Sequence, residues 1–266
     1  MKKSLIALAL VGAFAAPAFA EDAPAAAPAP EAKPFTANVG LTTDYIFRGI
    51  SQSQHKPAIQ GGFDYAHESG LYVGTWASNV NWVAAQGVKF DNSMEWDIYG
   101  GFKGTFADDF SYDVGILEYY YPGTFTHTAG LADANSTEVY GAIGWKFLTL
   151  KYNYAVSSHL FAFTSTTGGK TQGSGYLDLT ANYDLGDGWG VVGHVGRQNI
   201  KGFSAASYTD WKAGVTKDVG FGVVGLAYTG TNAKTAPYTW GIATGGSGPN
   251  QDVSKNVLAA SFTKTF

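Results

Sequence analysis

The chain has 266 residues, 35 glycines, 15% aromatic and 14% charged residues, no cysteine, and a formal net charge of −4. The missing cysteine excludes disulfide staples and thiol chemistry, and the acidic balance argues against a nucleic-acid partner. Glycine at almost twice its usual share of about 7% disfavours long helices and suits tight turns and crowded sheet positions.

Residues 1–20, MKKSLIALALVGAFAAPAFA, read as a secretory signal peptide. Lys2 and Lys3 form a positive n-region, Leu5 to Ala16 a short apolar stretch, and Ala18-Phe19-Ala20 a small-x-small cleavage site. The apolar stretch is too short to span a membrane. Loss of the leader removes two lysines, leaving 15 basic against 21 acidic side chains, a net −6. Residues 21–34, EDAPAAAPAPEAKP, read as an extended alanine- and proline-rich linker. No later segment offers about 18 consecutive apolar residues, so helical membrane spans are excluded.

From Phe35 to the end the pattern has a period of two, the signature of strands with one apolar and one polar face. It opens in NVGLTTDYIFRG. Val39, Leu41, Thr43, Tyr45 and Phe47 share one side, while Asp44 and Arg48 lie on the other. Candidate strands are 35–48, 57–67, 71–80, 94–103, 110–120, 137–147, 149–157, 175–185, 189–197, 207–217, 221–230 and 253–266. Trp96 and Ile98 alternate with Glu95, Asp97 and Tyr99; Leu177 and Leu179 alternate with Tyr176 and Asp178.

The connections alternate long and short. RGISQSQHKP is long and HESG short; 158–174 is long and GDG at 186–188 short; 231–252 is long and KDVG at 217–220 short. Outer-membrane barrels have short periplasmic turns and longer external loops. Short turns also imply antiparallel neighbours in up-and-down order. The last strand ends on Phe266 and would close the barrel against the first, removing both edges. The expected fold is therefore all-β: an antiparallel, up-and-down transmembrane β-barrel of about 12 strands over 35–266. Its apolar face looks to outer-membrane lipid. Tyr45, Tyr119, Tyr120, Tyr121, Trp145 and Trp189 would form interfacial girdles.

NVGLTTDYIFRGISQS followed by KPAIQGGFDYAHESGLYVGTWASNV closely resembles the TorF family of porin-like proteins, also grouped as conserved exported bacterial proteins of unknown role. The match is most specific over residues 37–80. The resemblance implies a bacterial outer-membrane barrel and a pore, and no catalytic residues. The terminal phenylalanine resembles the signal read by the barrel-assembly machinery, an implied partner.

In a barrel the polar phase lines the lumen, where charges bias permeant ions. The acids on that phase are Asp44, Asp64, Glu95, Asp97, Asp113, Glu138, Asp178, Asp184 and Asp210; the bases are Arg48, Lys146, Lys151, Lys212 and Lys255. Acids outnumber bases, so a porin passing small hydrophilic solutes or ions, with a weak cation preference, is expected. Tyr99, Tyr140 and Tyr176 would narrow the bore. The alternative is a non-conducting structural or adhesive barrel acting through its external loops. A hydrolase has less support: Ser157 and Ser158 lie beside His159, but there is no GxSxG elbow. The five histidines are scattered without metal-ligand spacing, so neither a metal nor another cofactor is expected. Loop 231–252 reads as an external loop, or else as a constriction folded into the pore. No protomer interface is identifiable.

Overall fold

The alternation does close into a cylinder. The computed structural model describes residues 34–107, 109–127, 130–241 and 249–266. The leader, and the linker up to residue 33, lie outside the described residues. Strand β1 (Phe35–Thr42) runs up to a loop that carries a small ribbon, β2 (Ile46–Phe47) with β3 (Ile50–Ser51). The wall continues through β4 (Ala58–Ala66), β5 (Leu71–Asn79), β6 (Met94–Phe106), β7 (Phe110–Tyr120), β8 (Ser136–Trp145), β9 (Leu148–Ala155) and β10 (Gly175–Gly186). It finishes with β11 (Trp189–Asn199), β12 (Tyr208–Asp218), β13 (Val223–Thr231) and, after a second ribbon of β14 (Thr239–Trp240) with β15 (Gln251–Asp252), β16 (Val257–Thr265). One short helix, α1 (Trp82–Ala85), sits in the loop after β5.

Twelve of these strands form one closed antiparallel barrel, each paired with its neighbour in the chain. β1 and β16 close it, with Leu41 opposite Phe262 and Asn38 opposite Thr265. The long connections all leave from one end and the short turns from the other, as their lengths imply.

The apolar phase faces outward. Leu177, Leu179, Val195, Trp211, Leu226 and Leu258 are exposed on a chain whose polar residues are buried inside. Burial so inverted leaves a closed barrel one stable surrounding, which is hydrocarbon. Tyr120, Trp145 and Trp189 are exposed near strand ends, as girdle residues should be. The short-turn rim carries more of them: Phe106 stacks on Phe110 at 5.5 Å and Phe110 on Trp145, Phe147 meets Tyr183 edge-to-face, and Phe221 is tilted against Phe262.

The structure corrects the sequence reading in three places. β1 stops at Thr42, and the rest of the expected 35–48 strand turns into the barrel. Tyr45, Tyr119 and Tyr121 are each only 1% exposed and point inward, so they are not girdle residues. The break expected between strands 137–147 and 149–157 lies instead at Lys146-Phe147, between Trp145 and Leu148, which pair.

With Leu179 facing lipid, Leu179→Arg at mid-strand should destabilise the refolded barrel by about 2–4 kcal/mol, read by urea titration in lipid vesicles. Thr180→Arg, on the lumen side of the next position, should cost far less. Equal costs would reverse the assignment of inside and outside.

Candidate functional site: the lumen and its inserted hairpin

The loop after β1 is the organising feature of the lumen. β2 and β3 form a two-residue hairpin in which Ile46 pairs with Ser51 and Phe47 with Ile50. Its tip is Arg48-Gly49, both at positive φ (47° and 78°), the backbone of a type I′ turn. Glycine is needed at the second position for space as well as for φ. A Cβ there would lie 2.5 Å from both Asp210 Cβ and Thr231 Cγ2 on the wall.

Arg48 anchors the tip. Its Nη2 donates to Glu138 Oε2 at 2.6 Å, and its Nη1 to Glu138 Oε1 at 3.0 Å and Gln198 Oε1 at 2.9 Å. The guanidinium also lies over the Tyr176 ring at 4.4 Å and the Phe47 ring at 4.7 Å. A planar fork matched to a carboxylate in this way fixes orientation as well as charge.

The base of the hairpin is held by Asp44. It accepts from Ser51 Oγ (2.6 Å) and Ser53 Oγ (3.1 Å), and it faces His55 Nδ1 at 2.7 Å. His55 Nε2 faces the Asp252 carbonyl oxygen at 3.0 Å. Two backbone bonds complete the seat: Ser51 N–H to Val253 O and Gln52 N–H to Tyr45 O. The described part of the 231–252 loop is thus packed over the hairpin, with Tyr238 and Trp240 buried; residues 242–248 lie outside the described residues. Tyr45 reaches across to donate to Glu95 at 2.6 Å, and Tyr121 donates to the other oxygen of that carboxylate.

Below the hairpin the wall carries linked polar clusters. His194 lies between Asp178 (2.6 Å) and Asp210 (2.7 Å), and Tyr176 donates to Asp210 at 3.0 Å. Gly196 makes room for that tyrosine, since a Cβ there would lie 2.0 Å from its hydroxyl. Tyr72 donates to Asp113 at 2.6 Å and also meets the Tyr140 hydroxyl. Lys103 lies over the Tyr72 ring, and Lys151 over the Tyr140 ring at 3.8 Å. Tyr99 donates to Asp64 at 2.7 Å. Tyr99, Tyr140 and Tyr176 therefore all point inward.

Exposure divides the lumen. The long-loop half is packed: Tyr45, Val83, Leu117, Leu160 and Val253 are essentially inaccessible. Toward the short turns Asp64, Tyr72, Lys103, Thr149 and Lys212 are half-exposed, a hydrated vestibule.

Asp64, Glu95, Asp97, Asp113, Glu138, Lys151, Asp178, Asp210 and Lys212 are brought together on the inner face. Asp44 and Arg48 are inside the barrel as well, but on the inserted loop and not on the wall. Three residues read as pore-lining lie elsewhere. Lys146 is in a short turn at positive φ, half-exposed beside Asp109 and the Trp145 ring. Asp184 is exposed at the rim, accepting from the Gly186 amide at 2.7 Å. Lys255 is exposed in the last loop before β16. In each case the strand ends, or reaches solvent, before the alternation does. Lys103 and His194 belong to the inner set and were missed, although both fall on the polar phase of strands that were recognised.

Little here resembles a catalytic or metal centre. Among the described residues no group of three or more His, Asp or Glu side chains is arranged to hold a metal ion. Ser157 Oγ donates to the backbone carbonyl of His159, at 2.7 Å.

An outward apolar belt, aromatic rims, a closed even-stranded wall and a charged interior define an outer-membrane β-barrel. Within that class the chain belongs to the Gcw_chp family of bacterial proteins of unknown function, whose model matches residues 25–266. Among solved structures it is similar to the NanC porin, with a TM-score of 0.54 at 10% identity over 87% of this chain and 98% of that one. It is likewise similar to the KdgM porin, with a TM-score of 0.50 at 6% identity over 87% and 98%. At such identities the likeness concerns the fold. No curated protein matches the sequence. The family found is the broad one; the narrower TorF name is not what the match supports.

The His55 clamp gives the hairpin a pH dependence. The hydrogen bond to Asp44 raises the imidazole above its ordinary value of about 6.5; partial burial opposes this, the Asp252 carbonyl and the Asp44 charge support it, and nearby Lys255 works against it. Both ring nitrogens face acceptors, so the clamp needs the protonated ring. Its contribution is complete below the ordinary value and is lost as pH rises through the raised one. Hydrogen-exchange protection of the Ser51 and Gln52 amides should fall over that window. His55→Ala should flatten the dependence; an unchanged profile in that variant would assign it to other groups.

Proposed function

We propose that this barrel is a porin-like channel for small hydrophilic solutes or ions, with passage controlled by the inserted hairpin. The observation that carries the reading is a closed twelve-strand wall, apolar outside, whose interior is lined with charges and tyrosines. Eight strands leave an interior that side chains just fill, and more strands widen it. Here the extra width is occupied at one end by residues 43–57. Passage then requires that segment to move, and needs no covalent step.

The charges support a weak cation preference. Inside the barrel Asp44, Asp64, Glu95, Asp97, Asp113, Glu138, Asp178 and Asp210 outnumber Arg48, Lys103, Lys151 and Lys212. Many of them pair with each other, which leaves a small net field and a mild bias. The C-terminal strand ending in Phe266 is the segment we assign to recognition by the barrel-assembly machinery.

A second reading is favoured by one observation, the tight packing of the long-loop half. A barrel stoppered in this way could be non-conducting and act through its external loops. An outer-membrane hydrolase has the least support: Thr180 Oγ1 lies 3.3 Å from His194 Nδ1, but it donates to Asp178 Oδ1 at 2.8 Å, and that ring nitrogen faces Asp178 Oδ2 at 2.6 Å.

Planar-bilayer recording of the refolded chain separates the two main readings. The intact protein should show small, infrequent openings. A variant with residues 46–51 replaced by a Gly-Ser linker should show discrete conductance several times larger, with a cation-leaning reversal potential in a salt gradient. Insertion without conductance in both forms would sink the channel and favour the loop-acting barrel.

A further inference from the structure

Near the long-loop rim, charge breaks into the outward phase of the wall. Arg197 of β11 lies between Leu177 of β10 and Thr209 of β12 and is exposed on the lipid side. It follows the girdle residue Trp189 by eight positions on the same strand. At about 3.3 Å per residue on a strand tilted by about 40°, that is roughly 20 Å of height, in a belt about 25 Å tall. The guanidinium therefore stands at the upper edge of the hydrocarbon, where lipid headgroups begin.

A second cation joins it. Lys201, just past the end of β11, is exposed. A Cβ on Gly173 would lie 3.3 Å from Lys201 Nζ and 3.1 Å from the hydroxyl of Tyr154, an outward residue of β9. The ammonium thus leans over the outer face of the wall. Neither cation is matched. Arg197 Nη1 makes one long bond, to Thr209 Oγ1 at 3.3 Å, and neither side chain has an acid partner among the described residues. Residues 128–129 and 242–248 contain no acid that could supply one. The outward acid at this rim, Glu118, is on β7, four strands from Arg197, and it accepts from Thr137. At about 4.8 Å per strand the gap is roughly 19 Å along the wall, well beyond a Debye length of about 8 Å.

We propose that this face of the barrel binds a phosphorylated lipid of the outer leaflet. Its phosphate lies between Arg197 and Lys201, and its acyl chains run down over Leu177, Val195 and Trp211, which are exposed below the cations. The anion follows from two unmatched cations at headgroup height, where a phosphate accepts the N–H pairs of a guanidinium fork. The lipid follows from the apolar wall beneath them. A free phosphate would meet an open face and gain nothing from that wall. The site requires the long loops to face outward, and does not depend on whether the barrel conducts.

Native mass spectrometry of the refolded full chain, released from detergent micelles with added lipid, tests this. The probes are dioleoylphosphatidic acid, dioleoylglycerol with the same chains and no phosphate, and inorganic phosphate. Phosphatidic acid should be retained on the barrel, dioleoylglycerol should be lost, and millimolar inorganic phosphate should not displace the lipid. The double variant Arg197→Gln, Lys201→Gln should weaken retention about tenfold. Lys264→Gln, at an outward lysine of the short-turn rim, should leave it unchanged. If the double variant fails to refold, Asn199→Glu, which sets an acid between the two cations, should weaken retention to the same degree. Equal retention of both lipids, retention indifferent to the changes at 197, 199 and 201, an equal loss in Lys264→Gln, or displacement by inorganic phosphate would each overturn the site.

Discussion

Hydrocarbon offers no hydrogen-bond partner to a backbone amide, and the rest of this molecule follows from that fact. A sheet in lipid cannot keep an edge, so β1 must find β16, and the ladder between them continues past the named strands through Thr43 N–H to Ala260 O and Phe266 N–H to Ala37 O. Closure in turn fixes which face is which. Strand side chains alternate, so placing Leu179 and Leu177 in lipid places Asp178 and Thr180 inside. Most charged side chains of the wall are then confined to one narrow space, while Glu118 and Arg197, near the long-loop end, lie on the outer phase. Neighbouring tyrosines and carboxylates, together with His194, satisfy one another there because the wall leaves them few other partners.

The inserted hairpin answers the same constraint. Twelve strands enclose more room than wall side chains fill, and here the chain itself occupies the surplus. The hairpin is built so that its insertion has one register. A left-handed two-residue turn sets the tip, Gly49 lets it lie against Asp210 and Thr231, and the Arg48 fork finds the Glu138 carboxylate. A buried ion pair of this kind is a weak source of net stability, because both ions lose their hydration, but an unmatched one is heavily penalised. The pair therefore discriminates against misplaced insertions more than it adds affinity for the correct one.

Much of this was legible before any coordinates. A period of two, alternating loop lengths and a terminal aromatic strand specify a barrel, because each is a local signal with a direct physical cause. What escaped was the place where the chain leaves the pattern without breaking it. Val39, Leu41, Thr43, Tyr45 and Phe47 keep the alternation, with Ile46 its one exception on the polar side, yet lipid ends at Thr42 and the last two side chains are packed inside. Alternation reports two different environments and does not say which is water, lipid or protein. The turn at Arg48-Gly49 lacks the Asn-Gly or Asp-Gly dipeptide that marks most such hairpins. Lys146, Asp184 and Lys255 were misplaced for a related reason: a strand's phase extrapolates beyond its end. His194 sat on the polar phase in plain sight, but its partners Asp178 and Asp210 are on different strands, and only register brings them together.

Two kinds of force hold the hairpin in the lumen, and they respond differently to its withdrawal. Removing Glu138 alone would strand a buried guanidinium. Withdrawing the whole hairpin is another matter, since Arg48 and Glu138 would then both regain water, and the net loss from the pair is small. Phe47, Ile50 and the Tyr45 ring gain nothing from water, and the Tyr45 hydroxyl exchanges its bond to Glu95 for bonds to water. Ile50 would give up roughly 1.5–3 kcal/mol of burial, the partly buried Phe47 less than a full burial's worth, and Gly49 would leave its close seat on the wall. The apolar side chains, and not the ion pair, therefore set the free energy of opening. That free energy amounts to several kcal/mol, so the open form is a minor population at equilibrium unless something binds the withdrawn state preferentially. Charge chooses where the hairpin sits, and apolar burial decides how long it stays.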